Sequence, residues 1–130
     1  MSTDVVGRAI EAQDKLIREI ASLGSCVIIG RAADYVLRDN AAILRVFIYA
    51  PEEIRIGRIM EMYGDTRADA ARHLKRSNDA RAAYYHRISG RKWGEKTNYD
   101  LILNSAIGLD GCVELICEQV RKLEKRLDIQ

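Results

Sequence analysis

Three short strand-like runs, the first of them continuously apolar, alternate with longer segments of helical periodicity, and this alternation constrains the fold of the 130 residues more than any other feature. The runs are Cys26-Val27-Ile28-Ile29, residues 44–50 and residues 99–104. A strand buried on both faces reads as a continuous apolar run, and parallel sheets covered by helices are where such strands occur. Strands separated by helices imply an α/β layer. The expected fold is therefore α/β, a parallel sheet flanked by helices with three recognisable strands, in a single domain over residues 1–130.

The intervening segments carry helix signals. Ser2, Thr3 or Asp4 suits the cap of a first helix, whose apolar positions Val5, Ala9, Ile10, Leu16, Ile17 and Ile20 recur at helical spacing. Gly24 stops it. Residues 30–37 turn into a short helix. Pro51 suits the first turn of another, with Glu52 and Glu53 complementing the dipole. Gly64-Asp65 breaks that helix near Tyr63. Thr66 and Asp69 then form a loose capping box for a long basic helix over about 67–85. Two glycines mark the loop at 89–94, and Asp110 is the expected cap of a last helix with Val113, Ile116, Val120, Leu123 and Leu127 on one face.

Composition bounds the class. With 48% hydrophobic and 31% charged residues, the chain has apolar surface to bury, and disorder as its main state is excluded. The longest strongly apolar stretch, 25–30, is far short of the roughly 20 residues of a membrane span. No charged segment leads into an apolar run at the N-terminus, so no signal peptide is expected and the chain reads as soluble and cytoplasmic. Three cysteines, Cys26, Cys112 and Cys117, make no CxxC pair. Buried thiols are expected, and no metal site.

The net charge is only +2, but its distribution is uneven. Eight basic residues lie between Arg67 and Lys92 against Asp69 and Asp79, a local +6 that leaves −4 elsewhere. Such an excess points to an anionic ligand or partner. Arg81 beside Tyr84 and Tyr85, then Arg87, Arg91 and Trp93, mixes cations with aromatics in a way that suits phosphate and base contacts. Arg72 and Arg76 share a different helix face. Arg31 and Asp34 follow the first apolar run, and ligands of open α/β sheets bind beyond the carboxyl ends of strands. Arg55 and Arg58 stand three apart on the helix after the second run, where a solvated face is the simpler reading. His73 and His86 have no partner at metal-ligand spacing, and no HExxH or GxSxG occurs.

The run from Ser25 through Gly30-Arg31-Ala32-Ala33-Asp34 to Leu37 resembles the cytidylate-kinase-like family of nucleoside monophosphate kinases. So do Val46-Phe47-Ile48-Tyr49-Ala50-Pro51 with Arg55 and Arg58, and Asp79-Ala80-Arg81-Ala82-Ala83-Tyr84-Tyr85. Lys92-Trp93-Gly94 with Asn98-Tyr99-Asp100-Leu101 and Leu103-Asn104-Ser105 completes the likeness. The resemblance implies a P-loop kinase fold that transfers phosphoryl from ATP, with Mg²⁺, to CMP or dCMP. It places Arg31 and Asp34 at the monophosphate, makes Arg81 a lid arginine and Arg58 a donor contact. It assigns Tyr84, Tyr85 and Trp93 to a lid-like segment over 67–95, and Arg76 is grouped with the substrate contacts.

Two departures from that pattern matter. Asn78 stands where the resemblance implies an acidic residue, and no GxxxxGK[ST] is present to hold the β- and γ-phosphates on backbone N–H groups. The chain thus looks like the carboxyl-terminal two-thirds of an incomplete P-loop kinase fold, with little or no ATP-dependent activity alone. The missing strand would be central in the sheet. The first two strands are therefore expected to close on each other, or the gap to be filled by a second copy or a partner chain. A non-catalytic nucleotide-binding or oligomerising module is the alternative. A small nucleic-acid-binding domain is a third reading, which the near-neutral total charge disfavours.

Overall fold

The computed structural model describes residues 4–128. The chain forms two compact units, Met1–Ile43 and Leu44–Gln130.

In the first unit, helix α1 (Val5–Leu23) starts at Asp4, whose carboxylate accepts the Gly7 backbone N–H. Ser2 and Thr3 lie outside the described residues. Ile17 is the buried residue of α1, which ends at Gly24 with φ +147°. The single turn α2 (Ala33–Val36) packs on α1. The chain enters α2 through three successive left-handed residues, Gly30, Arg31 and Ala32, at φ +73°, +60° and +54°. For a residue with a Cβ this conformation costs roughly 1–2 kcal/mol, and such strain is held only where surrounding structure enforces it.

Residues 26–29 do not form the expected strand. They join no ladder, and Val27 and Ile29 are 91% and 88% exposed. A run buried on both faces needs neighbours to satisfy its N–H and C=O groups. Within the first unit no described residue offers 26–29 a ladder. Cys26 and Cys117 are likewise exposed, so burial holds for Cys112 alone.

The second unit is built on a parallel pair, β1 (Val46–Tyr49) and β2 (Leu101–Asn104), with Val46 opposite Leu101 and Tyr49 opposite Asn104. The crossover between them runs through α3 (Glu52–Tyr63) and α4 (Arg67–Ser89), which pack on each other. Pro51 precedes α3, and Glu52 and Glu53 occupy its first turn. Thr66 caps α4, its hydroxyl accepting the Asp69 N–H at 3.2 Å. Gly64 and Gly90 close the two helices in the left-handed conformation. Ile56, Ala70 and Leu74 form the buried centre of this layer, with Ile59, Met60 and Ala71 around it.

Helix α5 (Leu109–Arg126) packs beside β2 and buries Cys112 and Leu123. Asp110 lies in its first turn instead of capping it. The preceding Gly108, at φ +106°, takes the boundary position, so Asp110 complements the helix dipole from inside. Val113 and Val120 of the expected apolar face are exposed. No helix among the described residues is long and apolar enough to cross a membrane.

Candidate functional site

Three arginines converge in the second unit where the strands of the parallel pair end. Arg55 and Arg58 come from α3, which β1 feeds directly through Pro51, and Arg81 comes from α4. Arg58 reaches the end of β2, its Nη1 donating to Ser105 Oγ at 2.9 Å and its Nη2 to the Ser105 carbonyl at 3.3 Å. Arg55 Nη1 donates to Asn78 Oδ1 at 3.0 Å. Asn78 and Arg81 stand three apart on α4, so they are neighbours on one helix face.

The Arg55 guanidinium is held below the usual arginine range first by partial burial and then by the positive charges of Arg81 and Arg58. Like charges gathered in this way are costly unless an anion joins them. Both observed acceptors, Asn78 and Ser105, are neutral. Among the described residues no carboxylate pairs with Arg55, Arg58 or Arg81, and the nearby Asp79 is taken by Lys75 at 2.7 Å. The solvated face expected for Arg55 and Arg58 is therefore not what Arg55 occupies.

An open groove of about 600 Å³ runs beside Arg55 and Asn78 over α4. Arg76 is elsewhere, lining a second open groove of about 690 Å³ with Tyr63, Asp65, Arg72 and His73. In that groove Tyr63 lies 5.3 Å from the His73 ring, and His73 Nδ1 is 3.8 Å from Asp65. Tyr85 is only 4% exposed and packs inside the fold, whereas Tyr84 is half-buried. Trp93 stacks edge-on against Phe47 of β1 with ring centroids 5.4 Å apart. In the first unit, Arg31 is exposed and Asp34 half-buried in the turn of α2.

Ser105 as the acceptor of Arg58 escaped the sequence reading, since the two are 47 residues apart and no spacing rule joins them. Spacing alone puts Asn78 on one helix face with Leu74, Arg81 and Tyr85, but nothing in the sequence joins it to Arg55, 23 residues away.

The donor set does not fit an ATP–Mg²⁺ cradle. The cluster offers guanidiniums only, no GxxxxGK[ST] occurs, and among the described residues no three His, Cys, Asp or Glu side chains gather. What the arrangement can do is bind an anion through charge-assisted, forked donors.

A profile of the cytidylate kinase-like family matches residues 3–107. The chain belongs to the cytidylate kinase-like family. Within this family setting, the crystal structure of an uncharacterized protein from Eubacterium ventriosum ATCC 27560 is similar, with a TM-score of 0.86 and 25% sequence identity. The likeness covers 92% of this chain and 69% of that one. No curated protein matches the chain. The structural likeness supports the mixed α/β fold of this member of the cytidylate kinase-like family.

Proposed function

We propose that the second unit carries the phosphate-binding part of a nucleoside monophosphate site, in which Arg55, Arg58 and Arg81 hold the phosphate of CMP or dCMP. The observation that carries this reading is three guanidiniums in one neighbourhood, with Asn78 accepting from Arg55, Ser105 accepting from Arg58, and no carboxylate paired with them among the described residues. Membership of the cytidylate kinase-like family supports the ligand class. Phosphoryl transfer is mainly positioning and charge stabilisation, work that arginines of this kind perform. The resemblance assigns Arg31 and Asp34 to the same ligand, and Arg76, Tyr84 and Tyr85 to substrate contacts. Those assignments rest on it alone.

Holding the donor is a separate matter. With no GxxxxGK[ST] in the 130 residues, this chain by itself is expected to bind the acceptor nucleotide and to turn over negligibly with ATP and Mg²⁺. Calorimetric titration with CMP tests the first half. Arg55→Ala and Arg81→Ala should each weaken CMP about tenfold or more, because a hydrogen bond to a charged group contributes roughly 1.5–3 kcal/mol. Undiminished CMP binding by both variants would refute the assignment. ATP-dependent formation of CDP by the isolated chain would refute the second half.

A further inference from the structure

Asn78 does more than fill a place on α4. Its side-chain carbonyl accepts the Arg55 guanidinium at 3.0 Å and so fixes the direction of the fork. An amide orients a cation without cancelling it, whereas a carboxylate in the same place would form an ion pair. Ser105 treats Arg58 in the same way, through a hydroxyl and a carbonyl. Other basic residues of this layer are handled differently. Arg67 pairs with Glu53, Arg72 with Asp69 and Lys75 with Asp79. Among these side chains of α3 and α4, the acceptors observed in the cluster are neutral, whereas Arg67, Arg72 and Lys75 take carboxylates.

We propose that Asn78 is a positioning residue that sets anion selectivity: by aiming Arg55 while leaving its charge uncompensated, it makes the Arg55–Arg58–Arg81 cluster prefer anions of higher charge. The inference rests on the phosphate-site reading and deepens it. Three undischarged guanidiniums attract an anion in proportion to its charge, most strongly beside Arg55, the partly buried member of the three. A carboxylate at position 78 would remove one unit of that charge while conserving the shape of the side chain and the contact to Arg55.

The test uses inorganic pyrophosphate and inorganic phosphate as probes, titrated calorimetrically into the full chain at low ionic strength. The unsubstituted protein should bind pyrophosphate at least tenfold more tightly than phosphate. Asn78→Asp should fold with unchanged or higher thermal stability, lose tenfold or more in pyrophosphate affinity, and narrow the ratio between the probes. Ser105→Asp makes the same charge change beside Arg58 and should narrow that ratio too, which keeps the test open if Asn78→Asp does not fold. Asn78→Ala, which removes the acceptor but adds no charge, should weaken both probes by a similar factor. A ratio left unchanged by both acidic variants would overturn the role of the neutral acceptors while leaving the phosphate site standing. Binding of neither probe by the unsubstituted chain would overturn the phosphate-site reading and this inference together.

Discussion

Arg45 and Asp100 are 55 residues apart in the chain and hold the mouth of the parallel pair together. The guanidinium donates through Nε and Nη2 to the two carboxylate oxygens, each at 3.0 Å, and the Arg45 backbone N–H donates to Oδ2 at 2.9 Å. In return the Arg45 carbonyl accepts the N–H groups of Asp100 and Leu101, at 2.8 and 3.1 Å. These bonds precede the pairing of Val46 with Leu101 and fix its register. The Arg45 hydrogen bonds hold the Asp100 carboxyl below its ordinary value of 3.8, against the opposing effect of partial burial. A carboxyl depressed in the folded state adds stability that is whole above the unfolded value and is lost as pH falls through the folded one. Asp100→Ala should therefore cost about 1 kcal/mol at pH 7, a figure kept small because the pair is about one-third exposed. Urea unfolding at pH 7 and again near pH 3 checks this, and an equal loss at both would sink it. Nothing in the sequence announced the pair, because a contact over such a separation follows from strand register and not from local spacing.

At the scale of elements, the second unit was readable from the sequence and the first only in part. Pro51, Gly64 and Thr66 act on the backbone locally, so their positions marked both ends of α3 and the start of α4 directly, whereas α4 runs past its expected end near Tyr85 to Ser89, where Gly90 closes it. The 26–29 run misled because apolarity states a preference for burial, while a strand also requires a partner for its backbone. The loop after α4 shows a further contact the sequence concealed. Gly94 sits at φ +82°, where a Cβ would lie 3.3 Å from Phe47 Cζ. The Phe47 ring is held between Trp93 and Tyr99, with centroids 5.4 and 4.9 Å away, so it has little room to withdraw. Gly64, at φ +70°, faces open space. Gly94→Ala should accordingly destabilise by about 2 kcal/mol, combining left-handed strain with the close contact, and Gly64→Ala by about 1 kcal/mol from strain alone. Chemical denaturation of the two variants gives the comparison, and equal losses would mean that Phe47 yields freely.

Over the whole molecule, composition foretold apolar burial but not its distribution. Ile48 and Ile102 of the sheet remain 52% and 40% exposed, although the faces of a parallel sheet are ordinarily covered by helices. Charge shows the same gap between total and arrangement. The +6 of residues 67–92 suggests a continuous cationic track, but Arg67, Arg72 and Lys75 are spent in ion pairs and Arg76 lies in a different groove from the Arg55–Asn78 contact. What remains focused is the cluster of Arg55, Arg58 and Arg81, which suits one compact phosphate group better than a strand. This separates the nucleotide reading from the nucleic-acid reading quantitatively. For single strands, the logarithm of affinity falls against the logarithm of salt with a slope of about −0.7 per phosphate contact. Three arginines acting alone give a slope of about −2, whereas all eight basic residues of the segment acting as a track would give one between about −5 and −6. Titration of a short single-stranded oligonucleotide across a salt series should yield the shallow slope, with CMP displacing the strand. A steep slope with no displacement by CMP would show that the basic face of α4 works as a polyanion track, and the arginine cluster would then lose its claim to a nucleotide.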